Sequence, residues 1–312
     1  MSLGPASPAR AITLKLSSVF LFVVMASLIK AASDEVPPGE AVFFRSAFAI
    51  PVIVGWLAAR GELTTGFRTV DPLGHVWRGF VGTMAQGCFF AGLAVLPLYE
   101  VKAIQYAMPL FVVILAAFLL GERIRIIRIS AVALGMAGVL MILWPRLTAF
   151  GLSEFDPRLA AGALIVLVGS FCGATAQIFI RKLVRTETTS AIVFWFSVTA
   201  TVLSALTAPF GWVWPSATVA AFLILAGLIG GAGQILLTSA YRYADAGIVA
   251  PFEYASMLFA VAIGWAVFAE VPTPEMLAGA ALVVAGGLAI LVRERQLAIR
   301  RDKARRAMSH LG

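Results

Sequence analysis

Long apolar segments recur along the whole of this 312-residue chain. Hydrophobic residues make up 61% of the sequence and charged residues 13%, whereas soluble domains have about 45–50% apolar and about 25% charged residues. A helix needs about 20 apolar residues to cross a bilayer. We therefore expect an all-α integral membrane protein with little soluble structure. The ten predicted transmembrane helices cover residues 13–32, 41–59, 78–96, 102–120, 129–145, 159–180, 190–208, 217–240, 246–268 and 275–292.

The distribution of lysine and arginine predicts the orientation, because these residues are retained on the cytoplasmic side. With the N-terminus inside, nineteen of them fall in inside segments, and three, Lys102, Arg146 and Arg158, fall outside. We therefore expect cytoplasmic N- and C-termini. The last segment, 293–312, carries seven basic residues. It is either an amphipathic extension on anionic headgroups or a stop-transfer cluster that only fixes topology.

An internal repeat divides the chain into halves. Residues 79–143 align without gaps onto 227–291, at an offset of 148. Each half has five predicted helices, and an odd number makes the second half enter the membrane from the opposite side. This predicts a first repeat over 1–150, a second, inverted repeat over 151–292, and a basic cytoplasmic tail over 293–312. In such architectures the substrate site lies near the midplane where the halves meet. The offset pairs Gly79 with Gly227, Gly82 with Gly230, Gln86 with Gln234, Tyr106 with Tyr254 and Glu122 with Glu270.

The five-helix unit that ends in Leu120-Gly121-Glu122, and that recurs as far as Ala269-Glu270, resembles the EamA unit of the drug/metabolite transporter superfamily. The likeness covers nearly the whole chain. Lys30 and the stretch 103–109 are most similar to the YddG-type amino acid exporters. The resemblance implies a bacterial inner-membrane protein that works by alternating access. It also implies a central cavity lined by the first, third, fourth, sixth, eighth and ninth helices.

Polar groups inside the predicted helices are the candidate functional residues, because each is expensive in lipid unless it faces the bundle or water. Glu253, which follows the helix-kinking Pro251, is the clearest. It is either a cavity carboxylate that contacts a substrate amine or carries a proton, or a structural group that snorkels to the cytoplasmic end. Proton coupling through Glu253 and uniport both remain open.

Amide and phenol side chains complete the predicted substrate site. A glutamine can bind a zwitterion without fixing a charge, although it can also simply join two helices by a hydrogen bond. The two repeat-related tyrosines are deep enough to stack on an apolar or aromatic ligand. The predicted substrate-binding residues are Gln86, Gln105, Tyr106, Gln177, Gln234, Glu253 and Tyr254.

Two basic residues near the outer end, Lys30 and Arg45, lie close in sequence to Asp34, Glu35 and Glu40. They form either an outer charge lattice that gates the cavity or snorkelling surface pairs. Together with Glu253, Lys30 and Arg45 are our candidates for coupling or gating.

These features predict a secondary transporter that exports small amphipathic metabolites, in the first place aromatic or apolar amino acids. The alternative is an exporter of lipophilic cations or drugs. An integral membrane enzyme needs acid–base or metal groups near the surface, but the histidines are only His75, in a predicted loop, and His310, in the tail. We expect no cofactor, no metal and no nucleic acid, with the substrate and the lipid bilayer as partners of a functional monomer.

Overall fold

The computed structural model describes residues 8–120, 126–148, 156–183, 186–243 and 250–286, together with residues 288, 289, 292 and 296. All regular secondary structure in these ranges is helical. The helices are α1 (Pro8–Ala32), α2 (Pro38–Ala47), α3 (Ala49–Ala59), α4 (Pro72–Leu93), α5 (Leu98–Gln105), α6 (Ala107–Leu120), α7 (Ile126–Thr148), α8 (Pro157–Leu183), α9 (Thr189–Ala205), α10 (Ala217–Tyr243), a 3₁₀ helix (Ala250–Tyr254), α11 (Ala255–Phe268) and α12 (Pro274–Gly286).

Four helical stretches are long and apolar enough to cross a membrane, and shorter apolar helices accompany them. The all-helical class and the membrane character are thus confirmed, whereas the count of ten crossings and their orientation remain predictions. Glu122 and nearly all of the basic tail lie outside the described residues. The four long stretches are Ala9–Ala32, Pro38–Ala59, Pro157–Ile180 and Ala217–Leu237.

Several helices begin before the apolar run that predicted them. Proline is the first residue of α1, α2, α4, α8 and α12, a position where its fixed φ and missing N–H are tolerated. Asp71 caps α4 by accepting a hydrogen bond from the Gly74 N–H at 2.9 Å. As a result α4 begins six residues ahead of its predicted span, and polar residues assigned to loops lie inside helices.

Two predicted spans are each built from two α-helices. The first is interrupted at Phe48, between α2 and α3, and the second at Tyr106, between α5 and α6. A proline lies three residues after each break, Pro51 and Pro109. Because proline has no N–H to donate to the carbonyl four residues earlier, the helix ends there and restarts. Discontinuous helices of this kind frame substrate sites in transporters.

Small residues set the distance between packed helices. Helix α1 packs along α10, and α4 packs along α8 and α9. Gly79 on α4 faces Thr199 on α9 so closely that any Cβ would clash, and its repeat mate Gly227 on α10 faces Phe48 with 2.5 Å to the place of a Cβ. Gly79 therefore brings α4 close to α9, and Gly227 brings α10 close to Phe48. Each of these two helices thus packs against the second predicted span of the other predicted half.

Helices α7 and α12 meet backbone to backbone. A Cβ on Gly138 would lie 2.6 Å from the carbonyl oxygen of Gly279 and 2.7 Å from the amide nitrogen of Val283. A Cβ on Gly279 would lie 2.9 Å from the carbonyl oxygen of Gly138. Glycine at both positions is what allows this approach.

Candidate functional site

A cavity of about 330 Å³ lies inside the bundle. Residues of α1, α2, α4, α5, α6, α8, α9, α10 and the 3₁₀ helix form its wall, so helices of both predicted halves contribute. The second and seventh predicted spans take part, through Arg45 and Phe196, in addition to those implied by the family resemblance. Of the predicted site residues, the cavity wall contains Arg45, Gln86, Gln105, Gln177, Gln234 and Glu253.

Glu253 forms an ion pair with Lys15, a residue of α1 that is 3% exposed. The Glu253 side chain is 51% exposed and lines the cavity. Lys102 on α5 also contributes to the wall and donates a hydrogen bond to the Gln105 amide oxygen at 3.1 Å. The ion pair joins α1 to the 3₁₀ helix, and Lys102 of α5 adds a cation to the wall of the same cavity.

The four predicted glutamines share the cavity but differ in their contacts. The amide nitrogen of Gln86 is buried and has no hydrogen-bond partner, whereas that of Gln177 lies 3.0 Å from the Met108 sulfur. Gln234, the repeat mate of Gln86, lines the same cavity from α10. Gln86 therefore lines the cavity and carries a buried amide donor without a hydrogen-bond partner.

Tyr106 and Tyr254 contact each other beside the cavity and are not part of its wall. Their ring centroids are 5.1 Å apart, with an edge-to-face angle of 65°. The Tyr106 hydroxyl lies 2.5 Å from the Ser256 hydroxyl and 3.2 Å from the Tyr254 carbonyl oxygen. In this conformation the two rings pack edge to face against each other, and neither is part of the cavity wall. The Tyr106 hydroxyl positions the 3₁₀ helix that carries Glu253.

Lys30 pairs with Glu270 at 3.0 Å, and it donates to the Leu96 carbonyl oxygen at 2.7 Å. Glu270 also accepts from the Leu98 N–H at 2.8 Å. Nearby, the Tyr99 hydroxyl donates to the Val271 carbonyl oxygen at 3.0 Å. These contacts tie α1 and α5 to the connection between α11 and α12, at the end of the bundle where α1 finishes.

The predicted acidic neighbours of Lys30 and Arg45 make other contacts. Glu35 accepts hydrogen bonds from Ser216, and Glu40 accepts one from the Val213 N–H at 3.1 Å. Arg45 is 7% exposed and lines the cavity instead of joining an outer lattice. The outer cluster therefore contains Lys30 with Glu270, while Arg45 belongs to the central site.

The structure adds Lys15, Arg78 and Lys102 to the site residues. They lie at or near the starts of the predicted spans 13–32, 78–96 and 102–120, where they were counted as charges that flank these spans. Because the helices begin earlier, at Pro8, Pro72 and Leu98, each of these charges lies inside a helix. A proline upstream of a basic residue at the start of an apolar run is the signal that could have indicated this for Lys15 and Arg78.

At the opposite end of the bundle, Glu187 contacts the start of α4. Burial by itself would raise the pKa of Glu187, but hydrogen bonds from the Asp71 N–H (2.8 Å), the Thr69 hydroxyl (2.8 Å) and the Val70 N–H (2.6 Å) lower the pKa below its usual value. His75, 3.7 Å from Glu187, has its pKa lowered because burial disfavours the imidazolium more than Glu187 favours it.

Two stretches of the sequence, residues 9–144 and 160–292, match the EamA-like transporter family. The chain belongs to this family, within the drug/metabolite transporter superfamily. This EamA-like protein is therefore a membrane protein, and its relatives indicate a transporter rather than an enzyme. The narrower likeness to YddG-type exporters remains a prediction.

Three curated relatives show the range of the family. The chain is 32% identical over 275 residues to a pseudopaline exporter of Pseudomonas aeruginosa, covering 87% of this chain and 92% of that protein. It is 29% identical over 259 residues to a riboflavin transporter of Rhizobium johnstonii, covering 83% and 82%. It is 25% identical over 265 residues to an S-adenosylmethionine uptake transporter of Rickettsia felis, covering 85% and 86%.

A crystal structure of another protein shares the fold. It superposes with a TM-score of 0.64 at 22% sequence identity, covering 93% of this chain and 99% of the other. At this identity the likeness concerns the fold alone.

Proposed function

We propose that this EamA-like protein is a secondary transporter that exports small amphipathic metabolites, with amino acids as the first class to test. The observation that carries the proposal is the central cavity, where polar side chains from both predicted halves face one space. Gln86 and Gln234, related by the 148-residue offset, reach it from α4 and α10. Alternating access would expose this space to one side of the membrane at a time.

The proposed architecture is ten crossings in two inverted repeats, with both termini in the cytoplasm of a bacterial cell. Helix packing supports this architecture. The repeat offset pairs α1 with α8 and α4 with α10, so the contact between α1 and α10 has its repeat counterpart in the contact between α8 and α4. Both contacts occur in the structure. Tyr106 and Tyr254, which are repeat mates, touch each other as residues near a twofold axis would. The proposed functional unit is a monomer, because the cavity is enclosed by helices of one chain.

The contact of Lys30 with Glu270 is the proposed outer gate. It links α1 to the segment that follows α11, and it is reinforced by the Tyr99–Val271 hydrogen bond. Release of a substrate on this side requires these contacts to break. An ion pair suits a gate because water can replace both partners' contacts when the gap opens.

The lining favours a zwitterionic or acidic substrate over a lipophilic cation. Arg45, Arg78 and Lys102 line the cavity, and the Glu253 carboxylate is already paired with Lys15. A cation would meet like charges in a site of low dielectric constant. The relatives include both an exporter and an uptake transporter, so the export direction is part of the proposal.

Counterflow in proteoliposomes tests the proposal. Purified protein is reconstituted, the vesicles are loaded with an excess of one unlabelled compound, and entry of the same labelled compound is followed. The panel holds neutral and acidic amino acids and a lipophilic cation such as tetraphenylphosphonium. We expect counterflow of at least one amino acid, and its loss in a Gln86→Leu/Gln234→Leu variant that still melts cooperatively. Counterflow of the cation alone would overturn the amino acid proposal.

A further inference from the structure

Arg45 and Arg78 converge on one aromatic ring at the cavity wall. The guanidinium carbon of Arg78 lies 3.6 Å from the centre of the Phe196 ring, and that of Arg45 lies 5.8 Å from the same centre. The three residues come from α4, α2 and α9, and all three line the cavity. We propose that this arginine pair is an oxyanion subsite, so that the transported molecule carries a carboxylate or phosphate group that binds between Arg45 and Arg78.

Both arginines are buried and incompletely satisfied. Each is 7% exposed. The Nε of Arg45 and the Nε and Nη1 of Arg78 have no hydrogen-bond partner, and within the described part of the chain neither residue belongs to an ion pair. Buried charges in proteins are normally paired, because removing an ion from water without a partner is strongly unfavourable. Two such guanidiniums on one wall therefore indicate a missing counter-charge.

No ion pair between described residues supplies that counter-charge. The Glu253 carboxylate is paired with Lys15, and Lys102 adds a further cation to the wall. The unpartnered amide nitrogen of Gln86 offers one more donor. The guanidinium fork matches the oxygens of a carboxylate or phosphate and forms charge-assisted hydrogen bonds with them. An oxyanion is the ligand class that satisfies these donors together.

Two repeat-related glycines lie beside the arginine pair. A Cβ on Gly82 would lie 3.2 Å from Nη1 of Arg78 and 2.9 Å from the Phe196 ring. A Cβ on Gly230, the repeat mate of Gly82, would lie 2.8 Å from the Met25 sulfur and 3.4 Å from Nε of Arg45. A glycine thus stands at the same position of both predicted repeats, beside Arg78 in one and beside Arg45 in the other.

The inference names the substrate class of the proposed transporter and rests on that function. Acidic amino acids, dicarboxylates and phosphorylated metabolites share the required group. A neutral amino acid would leave the pair only partly neutralised. Comparing carboxylate probes with phosphate probes shows which of the two groups binds between the arginines.

The test measures ligand-dependent melting of the purified full-length protein in detergent. The probes are glutamate, succinate, glycerol 3-phosphate and inorganic phosphate, with glutamine and sodium chloride at matched ionic strength as neutral and salt controls. The variants are Arg45→Gln and Arg78→Gln, and the matched control is Arg158→Gln, whose side chain is exposed. Counterflow of each probe that raises the Tm is measured in parallel.

We expect at least one oxyanion probe to raise the Tm of the wild-type and Arg158→Gln proteins more than chloride or glutamine does. Its apparent affinity should fall about tenfold or more in each arginine variant, as expected for loss of a charge-assisted hydrogen bond. The ligand-free Tm of the two variants should equal or exceed that of the wild type, because an unpaired buried charge has been removed. If a variant does not purify, Arg45→Lys or Arg78→Lys keeps the charge without the fork, and weakened binding is again expected.

The inference is overturned if no oxyanion probe acts beyond the controls, or if both arginine variants bind as tightly as the wild type. It is also overturned if their ligand-free Tm falls while binding is retained, since that identifies a purely structural pair. Counterflow of neutral amino acids that is unchanged in Arg45→Gln and Arg78→Gln would refute the subsite but leave the transporter intact. Absence of counterflow for every compound would instead refute the proposed function.

Discussion

The Glu253 carboxylate forms an ion pair with Lys15 of α1, whose side chain is 3% exposed. Lys102 lines the same cavity. A substrate amine or a proton that reaches Glu253 must therefore compete with Lys15. This competition gives a direct link between ligand binding and the contact of α1 with the 3₁₀ helix, and it makes the pair a suitable coupling element.

Replacing Glu253 by glutamine tests this role. A neutral amide cannot exchange a proton, so Glu253→Gln should abolish pH-driven uptake in proteoliposomes while leaving counterflow. Because Lys15 loses its counter-charge, the stability of the protein should fall by about 1–3 kcal/mol. Adding Lys15→Met to Glu253→Gln should restore part of the lost stability, since both charges are then absent.

The matched control for that experiment is Glu62→Gln, because Glu62 pairs with the exposed Arg60 at 3.2 Å. A solvent-exposed pair contributes about 1 kcal/mol or less, so this variant should melt and transport like the wild type. Unchanged pH dependence in Glu253→Gln would refute coupling through this carboxylate. If the variant that combines Glu253→Gln with Lys15→Met were less stable than Glu253→Gln alone, the unpaired charge of Lys15 would not explain the loss of stability.

The buried His75 predicts a pH dependence of stability. Its folded pKa lies below its ordinary value of 6.5, so the unfolded chain binds a proton more readily in the window between the two values. The contribution is fully present above pH 6.5 and is lost as the pH falls towards the folded pKa. In detergent melts, His75→Gln should flatten the drop in Tm between pH about 7.5 and about 5.5. An equal drop in both proteins would show that another group is responsible.

At the scale of the helices, hydropathy predicted where helix occurs but not where each one starts. The apolar runs coincide with the helices, because a lipid-facing surface requires uninterrupted apolar sequence. The breaks at Phe48 and Tyr106 follow from prolines that the sequence shows. The apolar runs did not indicate which charges face inward, such as Arg78 at the start of its predicted span, since a residue that faces a cavity lowers hydropathy just as a flanking residue does. Which side chains converge depends on packing between helices distant in sequence.

The close contact between α7 and α12 leads to a prediction about stability. A Cβ on Gly138 would lie 2.6 Å from a backbone oxygen, which cannot move aside as a side chain can. Gly138→Ala should therefore destabilise the protein by about 1–3 kcal/mol, the usual range for overpacking. Gly55→Ala is the control, because nothing lies within 4 Å of the place of its Cβ. The melting temperatures of the two variants in detergent test this prediction. Equal melting temperatures for Gly138→Ala and Gly55→Ala would contradict it, because α7 and α12 would then move apart at little cost.

For the molecule as a whole, helices from both predicted halves line a common cavity. The family matches residues 9–144 and 160–292, which correspond to the two predicted halves. The repeat offset relates the glutamines that face the cavity, the tyrosines that touch beside it and the glycines beside the two arginines. Under the proposed alternating access, rocking of the two predicted halves would move the opening of this cavity from one side of the membrane to the other.

Covalent blocking of the cavity tests most directly whether the substrate passes through it. In a protein whose two native cysteines, Cys88 and Cys172, are replaced by alanine, a cysteine at Ala85 places a thiol on the cavity wall. A bulky maleimide at that position should abolish counterflow in proteoliposomes, and excess substrate should slow the labelling. The same label on a cysteine at the exposed Trp214 should leave counterflow unchanged. Full counterflow after complete labelling at position 85 would contradict the account.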